Sequence, residues 1–67
     1  MAGLPRTDLV SRGDIRAVLG VGNSTVDKWV RNGVLTKVIL PGLKYAKYAR
    51  AEVIRNLGLD ENGRVGP

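Results

Sequence analysis

The chain has 67 residues, 11 of them Lys or Arg against 6 Asp or Glu, and contains neither Cys nor His. Such a length holds one domain at most and buries only about 60% of its unfolded surface. Disulfides, thiolate chemistry, zinc fingers and imidazole catalysis are excluded by composition, while the net charge of +5 suits a polyanionic partner.

In chain order, residues 1–8 hold Gly3 and Pro5 without periodicity and read as a flexible arm. The folded unit is expected over 9–59, and the polar, Gly-containing end 60–67 reads as a disordered tail. In "SRGDIRAVLG", Ser11 can cap a helix and Asp14 stands three residues later, where a capping-box acid answers it. Ile15, Val18 and Leu19 follow at helical spacing, and Gly20 supplies the stop. A second helix is expected from Asn23 or Ser24 to Asn32, ended by Gly33, with Val26, Trp29 and Val30 as its buried stripe. Two short helices joined by a tight turn containing glycine make a helix-turn-helix. The segment "VLTKVILPGLKYAKY" is rich in β-branched and aromatic residues, and predicts a β-hairpin around Pro41 and Gly42. Pro followed by Gly fits a type II turn, whereas two-residue hairpins favour the primed turns, so a wider loop and either strand register stay open. "ARAEVIRNLG" predicts a third helix with Val53, Ile54 and Leu57 inward and Gly58 as its stop. The expected class is α+β, a small winged helix-turn-helix with a hairpin wing and a C-terminal helix.

Charge is unevenly placed along the chain. Lys28, Arg31, Lys37, Lys44, Lys47 and Arg50 follow one another with no acid between them. On a wheel with Val26 at zero and about 100° per residue, Ser24, Lys28 and Arg31 gather near the opposite pole. Thr25, Asp27 and Asn32 take the shoulders. Arg and Lys match guanine in the major groove and Asn matches adenine, whereas Asp accepts only from cytosine. Asn23, Ser24, Lys28 and Arg31 are the first choices for base contacts, with Thr25 equally a phosphate contact or a ligand of its own helix end. Asp27 precedes Arg31 by four residues, in the order that favours an ion pair; the expectation is that it orients Arg31 and repels misplaced phosphates, with cytosine recognition the alternative. Lys37, Lys44, Lys47 and Arg50 are expected to supply at least two backbone contacts, although lysines also guard sheet edges. Trp29 is expected in the core and not as a stacking platform, and Tyr48 beneath the third helix. Leu40 and Leu43 at the hairpin tip either cover each other or meet a protein neighbour.

The run Gly20-Val21, Thr25-Val26, Trp29-Val30, Gly33 and Leu35 resembles the MerR-like winged-helix family, in particular its small excisionases of phages and transposons. The resemblance extends over residues 9–58 and is strongest over 20–35. It implies double-stranded DNA as partner, the second helix in the major groove and the wing on the backbone or minor groove. This chain departs from the family pattern at Gly22, where a capping serine is common, so that either Gly22 or Asn23 opens the helix. It departs again at the hairpin tip, where Leu40, Pro41 and Leu43 stand in place of arginines.

The first functional expectation is therefore an excisionase-like architectural factor controlling site-specific recombination, bound cooperatively as several copies to repeated sites, with an integrase or another phage protein as a further partner. A small transcriptional repressor and the DNA-recognising part of a phage terminase small subunit use the same module, and a pure protein-interaction module is the remaining reading. No enzyme is expected, because the carboxylates are scattered and no dyad or metal cluster can be assembled; "GVG" at 20–22 lacks the preceding strand of a phosphate loop. Neither cofactor nor metal is expected. No apolar run approaches the roughly 20 residues that span a bilayer, and "MAGLPRTD" lacks the regions of a signal peptide. The expected location is the cytoplasm, on the nucleoid of a prophage or mobile-element host.

Overall fold

A computed structural model of the chain describes residues 3–65. The elements run β1 (Leu9–Ser11), α1 (Arg12–Leu19), α2 (Asn23–Arg31), β2 (Lys37–Val38), β3 (Lys47–Ala49) and α3 (Arg50–Leu57). The three strands form one antiparallel sheet in the order β1-β3-β2, so the class is α+β. No helix of the described residues is long and apolar enough to cross a membrane.

Ser11 does what its spacing from Asp14 predicts. Its hydroxyl accepts from the Asp14 N–H at 3.1 Å, and the Asp14 carboxylate accepts from the Ser11 N–H at 2.9 Å, so the box satisfies two orphan donors and puts negative charge at the positive helix end. α1 stops at Gly20 in the left-handed conformation, φ 67°, with its N–H donating to the Arg16 carbonyl. At α2 the open choice resolves to Gly22, an extended N-cap with no side-chain bond. α3 likewise begins without a side-chain cap, at Ala49, and ends at left-handed Gly58.

The hairpin joins β2 to β3 through the wide loop 39–46. Its tip is nonetheless the expected turn: the Leu43 N–H donates to the Leu40 carbonyl at 3.1 Å, with Gly42 at φ 82°, the positive value a type II turn requires at its third residue. In the register, Tyr48 faces both Val10 of β1 and Lys37 of β2, and Lys47 faces Ser11 and Val38. Tyr48 is fully buried at the middle of the central strand, in a core with Leu4, Val10, Ile15, Val26, Leu35, Val53 and Leu59. Trp29, Val30, Ile54 and Leu57 pack around it half-buried. α3 is held to the segment after α2 by polar contacts as well. Glu52 accepts from both the Thr36 N–H and hydroxyl, and Asn56 donates to the Val34 carbonyl.

Two regions differ from the sequence expectation. β1, at the start of the expected folded unit, is a strand that the sequence reading did not include, and Ser11 both ends it and caps α1. Where a free arm and a free tail were expected, the described parts of both pack on the domain. Leu4 is buried, its N–H donates to the Gly63 carbonyl at 3.0 Å, Arg6 donates to Asn62, and Leu59 bridges Val65. Asp60 organises the turn by accepting from the N–H groups of Asn62 and Arg64. Burial of Leu4 and Leu59 provides the apolar gain that a loose arm and tail lack. Residues 1, 2, 66 and 67, at the ends of the expected arm and tail, lie outside the described residues.

Gly63 has φ 74°, and a Cβ there would stand 2.7 Å from the Leu4 Cβ. Gly63→Ala therefore combines left-handed strain with a steric clash, and a loss of about 1–3 kcal/mol is expected. Thermal melts should show it as a Tm drop of roughly 4–8 °C per kcal/mol; an unchanged Tm would mean that the ends do not contribute to the fold.

Candidate nucleic-acid interface

α2 buries Val26 and leaves Asn23, Ser24, Asp27, Lys28, Arg31 and Asn32 exposed, with Thr25 half-buried. The division follows from helical geometry, since the residues opposite a buried position must face solvent. The expected polar pole of Ser24, Lys28 and Arg31 is thus solvent-facing.

Beside it lies an open groove between the start of α1, the start of α2 and the hairpin. Arg12, Arg16, Asn23, Lys37, Lys44 and Lys47 line it, together with Ile39, Tyr45 and the edge of Tyr48. Five cations therefore share one surface depression. Lys37 and Lys47 arrive there from neighbouring strands, and Lys44 from the loop between them. The Lys44 ammonium lies 5.7 Å from the centroid of the exposed Tyr45 ring, within reach of a cation–π attraction.

Asp27 is not paired as the sequence suggests. In place of Arg31 it meets Arg12 of α1, at 2.6 Å, in the one ion pair among the described residues. An Asp–Arg pair within one exposed helix is worth only a few tenths of a kcal/mol, so a better-held partner displaces it. Arg12 is better held because its other contact is the Tyr48 hydroxyl, to which it donates at 3.4 Å. Arg12 is raised above its ordinary pKa, chiefly by its contact with Tyr48 against the opposing effect of burial, with Asp27 a smaller contributor. It carries full charge in any case.

The remaining acids are also occupied or distant. Asp14, Glu52 and Asp60 accept the hydrogen bonds described above, and Asp8 and Glu61 line a separate cleft with Arg6 and Arg50. Arg50 thus leaves the group in which the sequence places it. It is turned toward the arm and tail, where it donates to the Glu61 carbonyl at 3.3 Å, and its Nε is buried without a partner. Comparison with protein-family models, with curated proteins and with solved structures finds no match. The chemistry is accordingly read from the residues alone: a cationic groove continuous at Asn23 with α2 can take a run of phosphates, since cations clustered in a depression focus their field.

Sequence reasoning missed Arg12 and Arg16. Their spacing of four puts them in one row of α1, a visible signal. That this row faces the hairpin depends on β1 pairing with β3, which no local pattern reports.

Proposed function

We propose that the chain is a winged helix-turn-helix protein that binds double-stranded DNA, with α2 in the major groove and the β2–β3 hairpin as a wing on the backbone or minor groove. Its role is that of an excisionase-like architectural factor, binding cooperatively to repeated sites to organise DNA for recombination. The observation that carries this reading is the convergence of Arg12, Arg16, Lys37, Lys44 and Lys47 on one groove beside the exposed face of α2. The resemblance of residues 20–35 to MerR-like excisionases supports it and supplies the recombination role. Selection of bound duplexes from a random pool tests binding, site and repeat spacing together. A selected pool without a shared motif, or with single unrepeated motifs, would overturn the proposal of sequence-preferring binding to repeats.

Two substitutions separate base reading from charge. Arg31→Ala is expected to lower affinity for the selected site by roughly 1–3 kcal/mol and to spare random DNA. Equal loss on both, in a gel-shift titration, reassigns Arg31 to the backbone. Asp27→Ala is expected to cost no more than a few tenths of a kcal/mol in stability, because both partners of its ion pair are substantially exposed. The same variant frees Arg12 and removes a negative charge from the DNA-facing side, so it should bind random duplex more tightly and discriminate less. Unchanged discrimination would reduce Asp27 to a purely structural tie between α1 and α2.

A further inference from the structure

The described residues expose four large hydrophobic side chains, and three of them, Ile39 at 69%, Leu43 at 46% and Tyr45 at 72%, sit in the hairpin loop. Ile39 precedes the Leu40-to-Leu43 turn and Leu43 closes it, with Pro41 and left-handed Gly42 at its centre. A loop that merely connects two strands gains nothing from branched aliphatic residues held in water, and clustered exposed apolar groups mark a contact surface.

The charges around the tip select the occupant. Lys37 precedes Ile39 by two residues, Lys44 follows Leu43 directly, and no acid occurs between Lys28 and Arg50. A second copy of a chain with net charge +5 would bring like charges together, whereas a phosphate-walled groove matches cations around an apolar centre. Apolar wedges of Leu, Ile or Pro, presented with basic neighbours, enter the minor groove and open base steps.

We infer that the hairpin tip is a minor-groove wedge: Ile39 and Leu43 insert at a base step and kink the duplex, while Lys37, Lys44 and Lys47 hold the flanking phosphates. This rests on the DNA-binding reading above and adds a deformation that α2 alone does not produce. The preferred sites contain a pyrimidine–purine step, which unstacks most readily. Preference at the wedge is then for deformability, without hydrogen bonds to bases.

The test uses the full chain and a mixed-sequence duplex of about 30 base pairs, with one central TA step and a fluorophore at each end. Anisotropy reports binding and energy transfer reports the end-to-end distance. The parent protein is expected to bind and to bend the duplex by roughly 20–90°. The Ile39→Ser/Leu43→Ser variant, altered only at exposed loop positions, is expected to lose at least half of the transfer change. Its affinity should stay within about tenfold of the parent's, because the cost of the bend and the contacts it permits offset each other. Circular dichroism confirms that the variant is folded. If the parent fails to bind at low salt, the DNA-binding reading fails and the wedge with it. If it binds and the duplex stays straight, or if the variant bends it equally, the wedge alone is overturned. Sedimentation provides a further arm: a parent that self-associates and a variant that does not, with equal bending, assign the tip to contacts between copies and overturn the wedge.

Discussion

Tyr48→Ala is expected to be severely destabilising and to melt far below the parent chain. The side chain is fully buried at the centre of β3, opposite Val10 on one side and Lys37 on the other. Truncating a buried aromatic residue costs about 3–5 kcal/mol, through lost transfer energy and the cavity left behind. Domains are stable by about 0.05–0.15 kcal/mol per residue, which gives a chain of this size only roughly 3–10 kcal/mol in total. One substitution thus removes a third or more of the available stability. Tyr48→Phe keeps the volume and removes only the acceptor of the 3.4 Å contact from Arg12, so a loss below about 1 kcal/mol is expected. Thermal melts followed by circular dichroism compare the two. An alanine variant melting within a few degrees of the phenylalanine variant would show that Tyr48 does not anchor the core.

The second large effect concerns the groove. Lys37 and Lys44 are exposed and Lys47 is half-buried, and none of the three takes part in a side-chain hydrogen bond or ion pair among the described residues. Their replacement together by alanine should spare the fold and weaken binding to all duplexes alike. Each neutralised phosphate contributes a slope of about 0.9 in log affinity against log salt, so the slope should fall by about 2.7 and affinity near 0.1 M salt by roughly 10²–10³-fold. Arg50→Ala, in the other cleft, should leave the slope unchanged. A triple variant with the parent's slope, or an Arg50 variant with a reduced one, contradicts the grouping. Because β2 is an edge strand and lysine on an edge discourages strand pairing, the measurement belongs at low protein concentration.

Local chemistry was legible in the sequence. The Ser11–Asp14 box, the stops at Gly20 and Gly58, the buried stripe of α2 and the turn at Pro41 and Gly42 each depend on residues a few positions apart. The exposed pole of Ser24, Lys28 and Arg31 follows from the same periodicity. What was not legible depends on distant pairings. Three residues, Leu9 to Ser11, are too few to show the alternation of a strand, and their pairing partner lies beyond both helices and the hairpin loop. Without β1 there was no reason to bring Arg12 to Asp27, to set Arg16 beside the hairpin, or to separate Arg50 from the lysines. The burial of Leu4 against Leu59 and Gly63 was hidden for a similar reason, since Gly, Pro and polar residues at both ends resemble disordered composition until each end is seen to cover the other.

The pairing of β1 with β3 also governs when the protein can fold. Val10 meets Tyr48, 38 residues later in the chain, and Leu4 meets Gly63 later still. On a ribosome adding roughly 5–20 residues per second, the first strand waits about 2–8 s for its partner. During that interval only α1, α2 and their turn have local contacts to form, and isolated helices this short are marginal in water. Folding of this unit must therefore follow synthesis of β3 and the segment that meets Leu4, and β1 spends the waiting period available to chaperones and proteases.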